Sequence, residues 1–384
     1  MMLIDEAWIS EPATQKVCSA LTSSGAQALF VGGCVRNALL GAPVSDIDIA
    51  TDARPGQIVE LAQAAGLRAI PTGIEHGTIT VVSAGIPHEV TTFRRDVETD
   101  GRRAVVAFAD HVEEDAARRD FTMNALYAQP DGTVLDPLGG LPDLEARLVR
   151  FIGTAENRIR EDYLRSLRYF RFHAWYGDPD GGFDPDALAA IGANLDGLES
   201  LSRERIGAEL LKLLASPDPA PAVATMRSTG VLAQVLPGAD DRSLAPLIAL
   251  EQAAGADADP VRRLAAIASP DDAATLRLSR SQLQRLIRMR EEAQSTTSIA
   301  ELGYRYGDEG GLHETLLRCA FLEQPWSEDL RRDLHAGAAA RFPVQARDLI
   351  PNFTGPALGK KLAELEKRWI ASGFSLSREE LLAH

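Results

Sequence analysis

Cysteine is scarce in this chain, which has three cysteines among 384 residues. They are Cys18, Cys34 and Cys319, and an odd number at such wide spacing makes neither a disulfide framework nor a zinc site. The N-terminus lacks the basic, apolar and small-residue parts of a signal peptide, and no apolar run approaches the length of a membrane span. We therefore expect a protein of the reducing cytoplasm that has no membrane partner.

Positive charge is also in deficit, with 40 Lys and Arg against 55 Asp and Glu and a formal net charge of −15. This balance at first argues against a nucleic-acid partner, but a polyanion responds to local fields rather than to the total charge. Basic residues gather within 158–171, 277–290 and 360–368. Such asymmetry is compatible with RNA binding without establishing it, because any one cluster could be a solvated helix face.

The composition is ordinary for a globular protein, with 45% hydrophobic and 25% charged residues, and the length suffices for two or three domains. Strand and helix patterns alternate as far as residue 140, and helical patterns carry the remainder. We predict an α+β protein with a mixed-sheet head at 1–147, a helical neck at 148–215 and a helical body and tail at 216–384. Further strands of the head are predicted at 67–70, 78–82 and 88–93.

The stretch 28–51, ALFVGGCVRNALLGAPVSDIDIAT, holds the strongest local signals. It predicts a strand at 28–31, a turn at Gly32 and Gly33, a helix at 34–40 and then a second strand. Glycine lets the backbone approach a ligand, and the amide N–H groups at a helix N-terminus favour an anion. We expect a phosphate group at this turn, although a Gly-Gly pair taken alone is usually only a turn.

Two carboxylates on the second strand predict a metal site. Asp46 and Asp48 are two positions apart, so on a strand they share one face while Ile47 and Ile49 turn into the core. Their like charges repel unless a cation lies between them, and carboxylate oxygens suit Mg²⁺. The alternative is a solvated strand edge, but the combination with the glycine turn favours a triphosphate beside a metal pair.

A third carboxylate, Glu89, lies in the predicted strand HEVTTF. Two divalent ions attract more than two anionic ligands, which makes Glu89 the best candidate for a third catalytic carboxylate. The sequence does not set the strand register, so a surface-facing glutamate is an equal alternative. The predicted chemistry is in-line attack by a 3′-hydroxyl on an α-phosphate, in which one ion lowers the pKa of the hydroxyl and another stabilises the pyrophosphate.

Residues 94–108 are charged and contain glycine, which predicts a mobile loop. The following segment, 112–123, is predicted to be a helix. Within ARRDFTMNA, Asp120 and Asn124 would be one turn apart on that helix and could contact a sugar, and Arg118 could contact phosphate. An ordinary capped helix with a salt bridge is the alternative reading of this segment taken alone.

A second arginine-rich helix is predicted over 158–175. Asp162 and Arg165 are three positions apart, so they present an acceptor beside a donor fork. Such a pair could read the Watson–Crick edge of cytosine or adenine and reject uracil and guanine, whose acceptors would face the carboxylate. On spacing alone, a plain salt bridge between the two residues is the better reading.

Several motifs in one order carry a resemblance to a known family. They are GGCVRNALLG, SDIDIAT, EVTTFR, RRDFTMNA, DPLGG and EDYLRSLRYFRF. Together they resemble the class II tRNA nucleotidyltransferases, which are CCA-adding enzymes related to bacterial poly(A) polymerases, within the DNA polymerase β superfamily. The similarity is strong over about 25–215 and looser in the tail. It implies a polymerase-β-like nucleotidyltransferase head.

The resemblance also implies roles for individual residues. Asp46 and Asp48 would bind two Mg²⁺ ions, and Asp162 with Arg165 would select CTP and ATP. The remaining implied contacts to the nucleotide are those of Gly32, Gly33, Arg36, Arg118, Asp120, Asn124, Arg168 and Arg171. Asn37 departs from the family, which commonly has Asp there, and this removes a charge near Arg36.

The implied activity is template-independent addition of CCA to tRNA 3′ ends, and we infer no obligate protein partner. Alternatives are a poly(A) polymerase, an enzyme that adds only CC or only A, a catalytically inactive tRNA-binding protein and a small-molecule nucleotidyltransferase. A GRRF-type stretch typical of bacterial poly(A) polymerases is absent after Asp110. Intact Asp46 and Asp48 oppose the inactive protein, and the arginine-rich neck and long tail exceed what a small-molecule enzyme needs.

Overall fold

A computed structural model describes residues 2–100, 103–350 and 352–383. The chain divides into two compact units. The first comprises Met1–Leu213 and Pro221–Val235, and the second comprises Leu214–Ala220 and Leu236–His384. Within the described ranges, no helix is both long and apolar enough to cross a membrane.

The first unit contains a mixed seven-stranded sheet in the order β3-β4-β5-β2-β1-β8-β9. Strands β2 and β5 are parallel, whereas the other neighbours in the sheet are antiparallel. The mixed sheet predicted for the head is therefore confirmed. The nine described strands, including a separate pair β6 and β7, are β1 (Leu29–Val31), β2 (Asp48–Thr51), β3 (Arg68–Gly73), β4 (Thr78–Ser83), β5 (Ile86–Thr92), β6 (Arg94–Asp100), β7 (Arg103–Phe108), β8 (Tyr127–Ala128) and β9 (Val134–Leu135).

Helices flank this sheet and continue beyond it in the first unit. They are α1 (Ala7–Ser10), α2 (Pro12–Thr22), α3 (Gly33–Leu39), α4 (Pro55–Ala64), α5 (Val112–Ala117), α6 (Leu141–Glu145), α7 (Ala155–Glu161), α8 (Leu164–Tyr176), α9 (Pro185–Ala193), α10 (Arg203–Leu214), α11 (Ala220–Ser228) and α12 (Val231–Val235). The helix predicted at 34–40 is confirmed as α3. The apolar side chains of β1, β2 and β8 meet in one core cluster that includes Leu29, Ala50 and Tyr127.

Aromatic side chains pack the segment that follows α5, which contains Phe121, against helix α8. The ring of Phe121 lies 4.8 Å from that of Phe172 and 5.0 Å from that of Phe151. The Phe151 ring stacks on Tyr169 at 5.6 Å. All four side chains are buried, and aromatic pairs at such distances contribute beyond their buried area. This packing fixes residues 118–120, which we call the RRD segment, against helix α8.

The loop predicted at 94–108 is wrong as a secondary-structure assignment for the described part of that stretch, which forms two strands. Strands β6 and β7 pair in antiparallel register from Arg94 opposite Phe108 onward, and residues 101 and 102 lie outside the described residues. The root is fixed because the Ala109 amide donates to the Phe93 carbonyl at 2.8 Å. The charged and glycine-containing sequence of this stretch lacks the alternation of polar and apolar residues by which strands are predicted.

The second unit is helical, as predicted for the chain beyond residue 140. In the described residues it contains α13 (Leu244–Ala254), α14 (Pro260–Ile267), α15 (Pro270–Thr275), α16 (Arg280–Gln294), α17 (Ile299–Phe321), α18 (Glu328–Ala339), α19 (Gly355–Ala371) and α20 (Arg378–Leu382). Trp369 of α19 is buried and its ring lies 4.9 Å from that of Phe374. The tail thus has a small apolar core of its own.

Helices α17 and α18 pack closely at Gly337, where the absence of a side chain lets the two backbones approach each other. This contact leads to a prediction about stability. A Cβ at Gly337 would lie 1.7 Å from the Ala300 carbonyl oxygen, whereas a Cβ at the helical, exposed Gly359 would meet nothing within 4 Å. We expect Gly337→Ala to lower the free energy of unfolding by about 2–4 kcal/mol through overpacking. The control Gly359→Ala should raise it by about 0.5–1 kcal/mol. Urea unfolding followed by circular dichroism measures both, and equal effects would contradict the close helix contact.

Candidate active site

The glycine turn between β1 and α3 needs glycine for its conformation. Gly32 has φ +71° and ψ −116° and precedes the first turn of α3, a backbone geometry that side chains disfavour. A methyl group at Gly32 would come 3.3 Å from Nη1 of Arg119 and 3.6 Å from Oδ1 of Asn124. The turn therefore faces a guanidinium and an amide as well as the helix N-terminus.

The register of the sheet places two of the three predicted carboxylates side by side. Asp48 of β2 pairs with Glu89 of the parallel neighbour β5, and side chains at paired positions point to the same face. Asp46 is not on the strand, because β2 begins at Asp48. It is exposed, and its Oδ2 accepts a hydrogen bond from Oγ of Ser45 at 2.9 Å.

Asp46 and Asp48 therefore do not share a strand face in the predicted way. Ile49 is fully buried, but Ile47 is only half-buried because it precedes the strand. The segment from 42 to 47 has no regular hydrogen bonding of its own. Asp46 is thus carried by a connecting segment that approaches the strand end.

The electrostatics of Asp48 fit a bound cation. Burial and then the nearby Glu89 raise the pKa of Asp48 to about 6, Asp46 contributes in the same direction and Arg119 opposes it. A carboxylate destabilised in this way by desolvation and like charges is stabilised by a divalent ion. Among the described residues, no three His, Cys, Asp or Glu side chains form a cluster that could hold a metal ion. The fit to Mg²⁺ therefore rests on the type of donor, because carboxylate oxygens are the ligands that Mg²⁺ prefers.

Arg36 is buried and contacts the side chains of Asn124 and Tyr176. It is 5% exposed, and its guanidinium donates to Oδ1 of Asn124 at 2.8 Å and to the hydroxyl of Tyr176 at 2.9 Å. The same guanidinium lies 3.9 Å from the Tyr176 ring centroid, a cation–π geometry. Burial lowers its pKa. Its contact with a triphosphate stays a prediction, while its role in fixing Asn124 is visible.

The hydrogen bonds of Asn37 explain why asparagine suits a position where the family pattern commonly has aspartate. Its Oδ1 accepts from Nη2 of Arg36 at 2.8 Å, and its Nδ2 donates to the carbonyl of Pro43 at 2.8 Å. An aspartate could accept from Arg36 but could not donate to Pro43. Compared with aspartate, asparagine lacks the negative charge but makes a hydrogen bond to the segment that leads to Asp46.

Asp120 and Asn124 meet, but not on a helix as predicted. Helix α5 ends at Ala117, so Asp120 lies beyond it. Nδ2 of Asn124 donates to Oδ1 of Asp120 at 3.2 Å, and Nε of Arg168 donates to Oδ2 at 2.7 Å. Burial would raise the pKa of Asp120, but Arg168 and the hydrogen bonds lower it overall. The carboxylate is thus ionised and joins the RRD segment to α8.

Arg119 is the residue that sequence reasoning missed. Its side chain is 20% exposed, its Nη1 faces the Gly32 turn, and its charge acts on Asp48. Its position four residues after Asp115 was the available signal, since the two form an i,i+4 ion pair of 2.9 Å. The neighbouring Arg118 is half-buried, and its backbone carbonyl accepts from Nη2 of Arg165 at 3.2 Å.

The predicted geometry of Asp162 and Arg165 is wrong, and so is a salt bridge between them. The helix breaks at Asp162, whose φ and ψ are −156° and 105°. Its Oδ1 accepts from the Leu164 amide at 3.1 Å, a local bond by which aspartate competes with helix. Its Oδ2 pairs with Nη2 of Arg205 at 2.6 Å, a partner on α10 that the sequence did not suggest.

Arg165 has a different set of partners. Nη1 donates to Oε2 of Glu161 at 2.5 Å and to the carbonyl of Arg158 at 3.1 Å. The side chain is 15% exposed. Another predicted arginine of α8, Arg171, pairs with Glu209 of α10 at 2.6 Å. Helix α10 therefore supplies counter-charges to both Asp162 and Arg171.

Comparison with known families matches two stretches of the chain. The family described as poly A polymerase head domain matches residues 28–150. The family described as probable RNA and SrmB-binding site of polymerase A matches residues 182–242. The first range contains the glycine turn, the three carboxylates and the RRD segment.

Known proteins resemble the chain over most of its length. The mitochondrial CCA tRNA nucleotidyltransferase 1 of Mus musculus is 34% identical over 371 residues, which cover 92% of this chain and 85% of the mouse protein. The CCA-adding enzyme of Geobacillus thermodenitrificans is 43% identical over 220 residues, 57% of this chain and 52% of that enzyme. The crystal structure of the Bacillus stearothermophilus CCA-adding enzyme in complex with CTP aligns with TM-score 0.72 at 29% identity, covering 94% of each chain.

Proposed function

Because the chain belongs to the class II tRNA nucleotidyltransferases, the family of the CCA-adding enzymes, we propose that it adds CCA to the 3′ end of tRNA from CTP and ATP. It is a nucleotidyltransferase that releases pyrophosphate. The observation that carries the assignment is the pairing of Asp48 with Glu89 beside Arg119, which also faces the Gly32 turn. Acidic oxygens beside phosphate-binding groups suit transfer of a nucleotidyl group.

Divalent metal ions support catalysis in this family, and here we assign two Mg²⁺ ions to Asp46 and Asp48, with Glu89 as the third carboxylate. When bound, the ions would activate the 3′-hydroxyl and neutralise the leaving pyrophosphate. The chain's own contribution is to place Asp48 beside Glu89, where burial first and then the charge of Glu89 raise the pKa of Asp48. Gly32, Gly33 and Arg119 would receive the triphosphate, and Arg36 would position Asn124 through its 2.8 Å hydrogen bond.

Selection of the base falls to Asp162 and Arg165 in this proposal. Asp162 is oriented by Nη2 of Arg205 at 2.6 Å and by the Leu164 amide, so its carboxylate can accept from an exocyclic amine once a base displaces or shares these bonds. Arg165 would donate to the ring nitrogen. Arg168 and Arg171 would support the site through Asp120 and Glu209, and Arg118 would complete the contacts to the nucleotide.

We assign tRNA binding to the helical body and tail at 216–384, keeping the head at 1–147 and the neck at 148–215. Part of the basic cluster at 277–290 is structural, because Arg285 pairs with Asp259 at 2.7 Å and Arg288 with Glu314 at 3.0 Å. The basic residues of α19, of which Lys360 and Lys367 are exposed, fit a polyanion better. A cytoplasmic location is also proposed, in keeping with three cysteines that are free and buried.

A primer-extension assay tests the proposed function. Incubated with Mg²⁺, the protein should extend tRNA lacking CCA by two nucleotides with CTP alone and by three with CTP and ATP, and tRNA ending in CC by one with ATP. UTP and GTP should give no product, and removal of the metal by EDTA should stop the reaction reversibly. Product lengths on a sequencing gel measure this.

The same gel separates the alternatives. A ladder of added adenosines identifies a poly(A) polymerase, and arrest after CC or failure on tRNA lacking CC identifies a partial enzyme. No extension of any primer, with tRNA still bound, would replace the proposed activity with that of a tRNA-binding protein.

A further inference from the structure

Asp115 is a buried carboxylate that the proposed chemistry does not use. It lies in α5 and is 2% exposed. Oδ2 accepts from Nη2 of Arg119 at 2.9 Å and from the hydroxyl of Tyr127 at 2.8 Å. Nε of Arg119 also donates to the Tyr127 hydroxyl at 3.1 Å. The three side chains form a closed set of charge-assisted hydrogen bonds, the kind that fixes a guanidinium in one orientation.

This orientation turns the remaining nitrogen of the guanidinium, Nη1, to the Gly32 turn. Nη2 and Nε of Arg119 are turned to Asp115 and Tyr127, whereas Nη1 faces the Gly32 turn, 3.3 Å from the position of a Cβ there. The charge of Arg119 also acts on Asp48, whose pKa it lowers, so this guanidinium is near both the turn and the carboxylates. An anionic phosphate brought to the turn would meet it directly.

The other oxygen of Asp115 serves a different element. Oδ1 accepts from the backbone N–H of Arg94 at 3.2 Å, the first residue of β6. Nη1 of Arg94 donates to the His76 carbonyl at 2.8 Å, so the first residue of β6 is also hydrogen-bonded to the turn between β3 and β4. Asp115 therefore accepts from the Arg119 guanidinium with one oxygen and from the first residue of β6 with the other.

The charge state suits this arrangement. Burial alone would raise the pKa of Asp115, but Arg119 and the Tyr127 hydroxyl lower it overall, and the same contacts raise the pKa of Arg119 despite its burial. A buried ion pair of this kind adds little net stability compared with apolar side chains of equal size. The contribution of the Asp115–Arg119 pair is to fix the orientation of the Arg119 guanidinium.

We propose that Asp115 is a positioning residue of nucleotidyl transfer, which aims Arg119 at the phosphates of the incoming nucleoside triphosphate and joins it to the root of the 94–108 hairpin. The inference rests on the proposed function, since it assumes that a triphosphate occupies the Gly32 turn. It adds two residues, Asp115 and Tyr127, that act through Arg119 and do not touch the substrate.

A double-mutant cycle tests the proposal. Steady-state extension of tRNA lacking CCA by CTP is measured for wild type, Asp115→Asn, Arg119→Ala and the double variant, with CTP binding measured separately by calorimetry without tRNA. We expect Asp115→Asn to raise KM for CTP about tenfold with a smaller change in kcat, since phosphate binding is used equally before and during the reaction. The double variant should be no worse than Arg119→Ala alone, because Asp115 acts through that side chain.

Glu251→Gln is the matched control. Glu251 is a 2%-exposed carboxylate shared by Arg262 and Arg263, so its loss also breaks a buried charged set, but in the second unit. It should lower the melting temperature without changing KM for CTP. Tyr127→Phe, which removes only the hydroxyl, should raise KM by a smaller factor than Asp115→Asn.

Hydrogen exchange tests the link to the hairpin. Saturating CTP should slow exchange of the Arg94 amide in the wild type but not in Arg119→Ala, each saturated at its own concentration. Equal slowing in both proteins, an unchanged KM in Asp115→Asn or effects that multiply in the double variant would overturn the proposal. If wild type bound no CTP and extended no tRNA, the proposed function would fail instead.

Discussion

Asp48→Asn is expected to reduce incorporation of CMP and AMP on the order of 1,000-fold while tRNA binding stays within about twofold. The substitution keeps the shape of the side chain but removes the charge that would hold a divalent ion next to Glu89, its partner across β2 and β5. Single-turnover extension measures the rate, and a filter-binding titration measures the affinity for tRNA.

The fold of this variant should survive the change. Because burial and Glu89 raise the pKa of Asp48 to about 6, its ionised form destabilises the metal-free protein at neutral pH, and a neutral asparagine removes that cost. The free energy of unfolding without metal should therefore equal or exceed that of the wild type. The control Asp52→Asn alters a nearby carboxylate that bonds Gln27 at 2.8 Å and should retain activity. Wild-type rates in Asp48→Asn would remove the metal assignment.

Arg165→Ala is expected to lower discrimination between CTP and UTP by about 10- to 100-fold, which is the worth of one bidentate base contact. The guanidinium would otherwise donate to the base edge while Asp162 accepts from its amine. The ratio of kcat/KM for the two nucleotides on tRNA lacking CCA measures the effect.

A control is needed because Arg165 also fixes its surroundings. It shares Oε2 of Glu161 with Arg158, whose Nη1 lies 2.9 Å from that oxygen. Arg158→Ala breaks the same local set without removing the proposed base contact, so it should retain selectivity. If both variants lose selectivity equally, Arg165 acts as a structural residue rather than as a reader of bases.

The secondary structure around the site was predicted from the sequence more accurately than the positions of the site's side chains. Alternation and glycine placed β1, the turn and α3 correctly, because these signals are local. The partnership of Asp48 with Glu89 depends on the register between distant strands, which no local pattern specifies. The i,i+3 geometry at Asp162 failed because its carboxylate bonds the Leu164 amide and competes with the helix.

Tertiary partners account for the other differences. Arg205, 43 residues from Asp162, supplies the counter-charge that Arg165 was expected to provide. Arg119 looked like one of two equivalent arginines in the sequence, and only the positions of Tyr127 and Asp115 distinguish it from Arg118. Such choices are made by the packing of whole elements rather than by neighbours in the chain.

The path of the chain between its two units has a practical consequence. The first unit extends to Leu213 and then regains Pro221–Val235, whereas the intervening Leu214–Ala220 belongs to the second. A single cut after the neck would discard Val223 and Met226, which are buried, and expose the apolar surface they cover. A catalytic fragment intended to be expressed alone should therefore end near residue 235, at the close of α12.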